Sequence, residues 1–152
     1  MLRIAHLFEH PQHTGEVARW IHGEFWRESN VHTPESLERL LKLATDPCAI
    51  PLSLLALAEG MPVGTVNLVE NDDETRAHLR PWLAALFVVP DRRRLGIGSM
   101  LVKHLQQCAA RLEIAEVYLG TDKPGFYARL GATIHEQVNK DFAIMRLRCV
   151  AE

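Results

Sequence analysis

At 152 residues, with 47% apolar and 24% charged side chains, the chain has the size and composition of one globular domain, which excludes a disordered chain and leaves little room for a second core. Its formal charge of -2 supplies no global field for nucleic acid or an anionic membrane, so any anion site must be a local cluster. Cys48, Cys108 and Cys149 are odd in number and far apart, which speaks against a disulfide framework or a metal site. With no apolar leader and no uncharged run of about 18 residues, a cytoplasmic protein is expected.

Residues 2–8 read as a short strand, broken by the proline- and glycine-bearing stretch 11–15. From Glu16 onward, Val17, Trp20, Ile21 and Phe25 recur at three and four residues and give a helix one apolar face. Thr33 then caps a second helix with Pro34 at its first position. Leu37, Leu40, Leu41 and Ala44 form its core face, and Asp46-Pro47 ends it. Residues 52–59 and 62–69 are two apolar runs joined by Glu59-Gly60-Met61, the pattern of a hairpin, and the polar loop Glu70-Asn71-Asp72-Asp73-Glu74 follows. Residues 82–89 are almost continuously apolar, as in a strand covered on both faces, until Pro90 stops them.

Ile97, Met100, Leu101, His104, Leu105, Cys108 and Leu112 keep helical spacing, predicting a helix over 96–112. Residues 116–121 read as a strand, 124–130 as a short helix closed by Gly131, and 133–137 with 142–148 as a last pair of strands. The order predicts one α/β domain over residues 1–152. Its mixed sheet of about seven strands is flanked by about four helices, with a parallel pair around the central crossover.

The most informative stretch joins the strand at Leu86, Phe87 and Val88 to the long helix through Arg92, Arg93, Arg94, Leu95, Gly96, Ile97, Gly98 and Ser99. A buried strand running through a basic, glycine-bearing turn into a helix aims free N–H groups outward, where the helix dipole also favours anions. Gly96 and Gly98 let a phosphate approach the backbone without a Cβ in the way, so the turn suits a pyrophosphate. It lacks the third glycine and the later acidic residue of the dinucleotide fingerprint. It also lacks the Gly-Lys-Ser/Thr of a Walker A loop.

Arg93-Arg94-Leu95-Gly96-Ile97-Gly98 resembles the Arg/Gln-x-x-Gly-x-Gly/Ala signature of the GCN5-related N-acetyltransferase superfamily. Phe126-Tyr127-Ala128-Arg129-Leu130-Gly131-Ala132, about thirty residues on, is similar to that family's second motif, Phe-Tyr-x-x-x-Gly-Phe. Two motifs in order at this spacing are far more specific than either alone. The resemblance implies acetyl-CoA as cosubstrate and no metal. Backbone groups of Leu86, Phe87 and Val88 would pair with the pantetheine arm in a gap between splayed strands. The N–H groups from Arg94 to Ser99 would hold the pyrophosphate, with Arg93 and Phe126 beside them. Arg94 stands where the family often has glycine, Leu95 where it often has arginine or lysine, and Ala132 replaces the usual aromatic residue.

Acyl transfer from a thioester to an amine moves two protons. With an ammonium pKa near 10.4, about one amine in a few thousand is a free nucleophile at pH 7, so a base is needed. The departing thiolate, of pKa near 8.5, needs a proton that a phenol of pKa near 10 can serve. The motif match makes Tyr127 that phenol. For the base, Glu70 at a strand end and His78 in the following loop are the candidates. Trp20, Phe25 and Trp26 lie on or near the first helix, which in the family borders the acceptor site.

The expected activity is acetyl transfer from acetyl-CoA to a primary amine of a small molecule or peptide, by direct attack in a ternary complex. The rival reading is a non-catalytic acyl-CoA-binding sensor or regulatory module; a nucleotide-dependent enzyme built on the glycine turn is a third. No nucleic-acid or membrane partner is expected. A homodimer through the C-terminal strands is compatible with the pattern.

Overall fold

The computed structural model describes residues 1–150. Seven strands, β1 (Leu2–His6), β2 (Leu52–Ala58), β3 (Met61–Val69), β4 (Trp82–Val88), β5 (Glu116–Thr121), β6 (Thr133–Gln137) and β7 (Ala143–Arg148), form one sheet in the order β1-β2-β3-β4-β5-β7-β6. Neighbours pair antiparallel except β4 and β5, which run parallel. Four α-helices accompany them: α1 (Thr14–Ile21), α2 (Pro34–Leu41), α3 (Ile97–Arg111) and α4 (Pro124–Ala128). The mixed sheet with four helices is the architecture that the element order predicts.

The continuous apolar runs explain the layering. Every residue of β2 is buried, because this strand is covered on both faces and its pattern does not alternate. One face packs on α3, where Leu101, Val102 and Leu105 are fully buried against Leu54, Val66, Leu68 and Leu83. The other face packs on the α1–α2 pair through Val17, Ala18, Ile21 and Leu37 against Leu55 and Leu57. Burying each such side chain contributes about 1.5–3 kcal/mol, so the two layers fix where the central strands end.

Local structure departs from expectation at three places. The first strand stops at His6, because Leu7–Glu9 forms a 3₁₀ turn in which the His6 N–H donates to Glu9 Oε1 (3.2 Å). Helix α1 begins at Thr14 and passes into a π-helical segment, His22–Trp26, so the apolar periodicity runs on while the winding loosens. Helix α2 ends at Leu41, leaving Leu43 exposed, although Ala44 is buried as expected. Its start is stronger than Thr33 alone suggests: Ser36 N–H donates to Thr33 Oγ1 (3.0 Å) and Thr33 N–H to Ser36 Oγ (2.9 Å), a reciprocal box.

Gly64 lets β3 and β4 lie close together. A Cβ there would stand 2.9 Å from the Phe87 carbonyl oxygen and 3.1 Å from Leu101 Cδ1. Backbone cannot yield as a side-chain tip can, so Gly64→Ala pushes β4 away from β3 and is expected to cost about 1–3 kcal/mol. Chemical denaturation of the variant checks the value. A midpoint equal to that of the parent would contradict the close approach.

Candidate active site

Strand β4 carries a bulge. Asn67 pairs with Ala84 and Thr65 with Phe87, so β4 takes three steps while β3 takes two, and Ala85 sits at φ +54° to absorb the extra residue. The bulge resets the alternation of side chains. Leu83, Leu86 and Val88 pack toward α3, whereas Phe87 meets Trp20 of α1 at 5.5 Å between ring centroids.

On its other edge β4 hardly touches β5. Trp82 is in register with Tyr118, whose N–H donates to the Pro81 carbonyl (2.9 Å), and beyond that point no further β4–β5 partners are registered among the described residues. The two parallel strands therefore part toward their C-terminal ends. A gap between strands leaves backbone N–H and C=O groups without ladder partners, and these must find water or a ligand.

The glycine turn lies at the mouth of that gap. Pro90–Arg92 forms a 3₁₀ turn in which Arg92 N–H donates to the Val89 carbonyl (2.9 Å). Arg93 N–H donates to the Pro90 carbonyl (3.4 Å), and the next backbone amide with a partner among the described residues is that of Met100, donating to the Gly96 carbonyl (3.1 Å). Six consecutive N–H groups, from Arg94 through Ser99, have no acceptor among the described residues. Arg94 (φ +67°) and Gly96 (φ +84°) occupy the left-handed region, the backbone conformation from which anion-binding turns are built. The conformation at Arg94 also explains why glycine suits that position in the family. A diphosphate fits this set of donors, since the six amides present no competing chain acceptor and the helix dipole adds to their field.

Arg93 turns inward. Its Nε donates to the Val88 carbonyl (2.7 Å) and its guanidinium carbon lies 5.3 Å from the centroid of Phe87. The side chain thus braces the turn against β4, and it takes up a carbonyl among the backbone groups expected to meet a pantetheine arm. Gly98 lies beside Phe126: a Cβ there would stand 3.4 Å from Phe126 Cζ and 3.9 Å from Val88 Cγ2, ordinary contact distances. Leu86, Phe87, Val88, Arg93 to Ser99 and Phe126 are therefore gathered at one end of β4.

Tyr127 is joined to this group by Phe126, the two rings meeting edge to face at 5.0 Å. Only 8% of Tyr127 is exposed, and burial pushes its phenol above the ordinary value of 10.0. It therefore stays protonated through the neutral range. Its hydroxyl has no hydrogen-bond partner among the described residues. It is not sealed in either, because Ser53 Oγ is the one fully buried side-chain oxygen or nitrogen there without a partner.

Glu70 and His78 lie at the opposite end of β4, both exposed, in the loop that connects β3 to β4. The structure does not bring them to the turn. The same loop contains groups that the sequence reading passed over. Asp72 is exposed at the surface, yet partial loss of hydration within the loop and then neighbouring Asp73 push its carboxyl upward, to about 6. Arg76 binds Glu136 of β6 through two hydrogen bonds (2.9 and 2.8 Å) and Asp73 through a third (2.8 Å), tying the loop to a strand sixty residues away. Asn71 Nδ2 donates to the Arg76 and Leu79 carbonyls (both 3.1 Å) and shapes the loop from within.

Arg76 holds the carboxyl of Glu136 below its usual range, and the Thr75 hydroxyl first and Arg76 after it do the same for Asp73. A depressed carboxylate contributes stability above its unfolded pKa and loses it as pH falls through the folded value. Arg76→Met is therefore expected to melt below the parent at pH 7, with the gap narrowing as pH falls through and below the ordinary carboxylate range. Paired thermal melts check this, and a gap that persists undiminished in acid would contradict it.

The sequence profile of the Acetyltransferase (GNAT) family matches residues 12–132. No curated protein matches the chain by sequence. Among solved structures, an aminoglycoside 6'-N-acetyltransferase complexed with coenzyme A superposes with a TM-score of 0.73 at 17% identity, covering 99% of this chain and 98% of that one. A GNAT acetyltransferase from Streptococcus pneumoniae gives 0.71 at 16% identity, covering 97% and 99%. The PaiA N-acetyltransferase from Thermoplasma acidophilum, also in complex with coenzyme A, gives 0.64 at 18%, covering 97% and 99%. With the profile spanning most of the chain and the sheet, bulge and turn in place, the protein belongs to the GNAT acetyltransferase family.

Proposed function

We propose that the chain is a single-domain, cytoplasmic N-acetyltransferase that passes an acetyl group from acetyl-CoA to a primary amine held on the α1 side of β4. The observation that carries this reading is the run of six backbone amides, 94–99, without an acceptor among the described residues, in the turn that follows β4 where it parts from β5. Those amides would hold the diphosphate, and the unpaired edge of β4 would align the arm that bears the thioester. Acetyl-CoA, once bound, supplies the activated acetyl group.

The remaining work falls to side chains. Tyr127 has a hydroxyl without a partner among the described residues and a phenol kept neutral by burial, both suited to donating to the departing sulfur. Because burial raises its pKa, full proton release is harder than for a free phenol, and the hydrogen bond to developing charge is its main contribution. Glu70 and His78, with Asp72 beside them, are the candidates for the proton acceptor; the 70–81 loop lies at the end of β4 away from the turn, so any of them would take the proton through bridging water. With its carboxyl near 6, Asp72 is ionised at neutral pH yet more basic than an ordinary aspartate.

Incubation with acetyl-CoA and an amine panel comprising an aminoglycoside, a peptide α-amine and a lysine ε-amine, with free thiol followed by absorbance, tests the proposal. Amine-dependent thiol release is the expected result. Tight coenzyme A binding without turnover on any amine would favour the sensor module instead, and no coenzyme A binding would overturn both.

A further inference from the structure

We infer that Phe87 links the cosubstrate turn to the helix beside the acceptor, so that coenzyme A binding is felt at Trp20. This rests on the acetyltransferase reading above and adds to it a positioning residue that neither motif contains. Three contacts form a continuous path. Arg93, which immediately precedes the amides of residues 94–99, is fixed at two points: its Nε on the Val88 carbonyl (2.7 Å) and its guanidinium carbon 5.3 Å from the centre of the Phe87 ring. Phe87 in turn meets the Trp20 ring at 5.5 Å with the planes inclined by 30°. The bulge at Ala85 makes this path available, because it resets β4 so that Phe87 emerges toward α1.

The path ends beside a segment of unusual winding. Trp20 is half-buried near the end of α1, and the next residues, His22–Trp26, are wound as a π-helix. π-helical turns are rare and often lie at functional sites. Holding the Arg94 amide on a phosphate fixes the backbone beside Arg93, and Arg93 is too firmly placed to absorb the change alone. Phe87 and Trp20 settle with it. An aromatic pair of this kind supports a coupling of about two- to tenfold in affinity. By linkage the effect runs both ways, so altering Trp20 must alter coenzyme A binding at the distant turn.

Two measurements with coenzyme A as the probe test the inference. Tryptophan fluorescence at saturating coenzyme A should change in the parent, lose that change in Trp20→Phe, and lose most of it in Phe87→Leu. Saturation removes any effect of altered affinity from this reading. Separately, Trp20→Leu should raise the dissociation constant measured by calorimetry about two- to tenfold. A full fluorescence change in Phe87→Leu, or an unchanged dissociation constant in Trp20→Leu, would overturn the link. If Phe87→Leu does not fold, the calorimetric arm decides alone. Coenzyme A that binds without disturbing Trp20 would refute this inference and leave the functional reading standing, whereas failure of the parent to bind at all would refute both.

Discussion

Gly96→Val is expected to weaken coenzyme A binding by at least about a hundredfold while leaving the melting temperature within a few degrees of the parent. Gly96 sits at φ +84°, and a Cβ built there meets nothing within 4 Å, so the obstacle is conformational and not steric contact with a neighbour. A β-branched residue held in the left-handed region costs about 1–3 kcal/mol, enough to move residue 96 back to negative φ. The turn that holds the amides of residues 94–99 then loses its anion-binding conformation. A hydrogen bond to a charged group contributes about 1.5–3 kcal/mol, so losing two of them accounts for the hundredfold. Stability is spared because Gly96 is exposed and lies outside the core that α3 buries. Calorimetric titration alongside a thermal melt measures both quantities. Retained affinity would mean that the phosphate is held elsewhere, and loss of the fold would mean that the turn supports the core.

Tyr127→Phe is expected to lower kcat by about 10²–10³-fold with the coenzyme A dissociation constant unchanged within about a factor of three. The change removes one oxygen that has no partner among the described residues, so little packing is lost, and the edge-to-face contact with Phe126 survives. The effect is therefore confined to the step in which the sulfur departs. Since burial raises the phenol pKa above 10.0, the parent keeps this donor protonated up to strongly alkaline pH. Any fall in kcat below pH 10 must then come from another group. Steady-state kinetics across pH 6 to about 9.5 separate the cases: a uniform drop at every pH is the expected pattern. A kcat within a factor of three of the parent would remove Tyr127 from the chemistry.

Hydrophobic period and turn residues make most of the fold readable in advance. The continuous apolar run at 52–58 marks a strand buried on both faces, the run at 82–88 marks one buried only from Trp82 to Ala84 and partly exposed beyond, where it borders the gap, and the spacing from Ile97 to Leu112 marks the long helix. The turn is legible for a different reason: Gly96, between a strand and a helix, is needed by backbone geometry, and Gly98 lies beside Phe126. What escaped depends on contacts made at a distance. No local signal marks the bulge, since Ala84-Ala85-Leu86 is ordinary strand sequence, yet it decides that Phe87 faces Trp20. Arg93 reads as a free cation until the Val88 carbonyl is seen beneath it. Arg76 and Glu136 are sixty positions apart, and only the folded sheet puts β6 beside the loop after β3. Asp72 is one acid among four in its loop until partial loss of hydration sets it apart. Early helix ends at Ile21 and Leu41 likewise reflect packing, which overrides the apolar spacing that continues past both.

The central claim is that the main chain between Arg94 and Ser99 is the diphosphate site, and amide-resolved nuclear magnetic resonance tests it most directly. On titration with coenzyme A, the largest shifts should fall on the N–H signals of residues 94–99, moving downfield as each gains a charged acceptor. If those six signals stay in place while the largest shifts gather at the exposed β6 edge or in the 70–81 loop, the site has been put in the wrong part of the molecule.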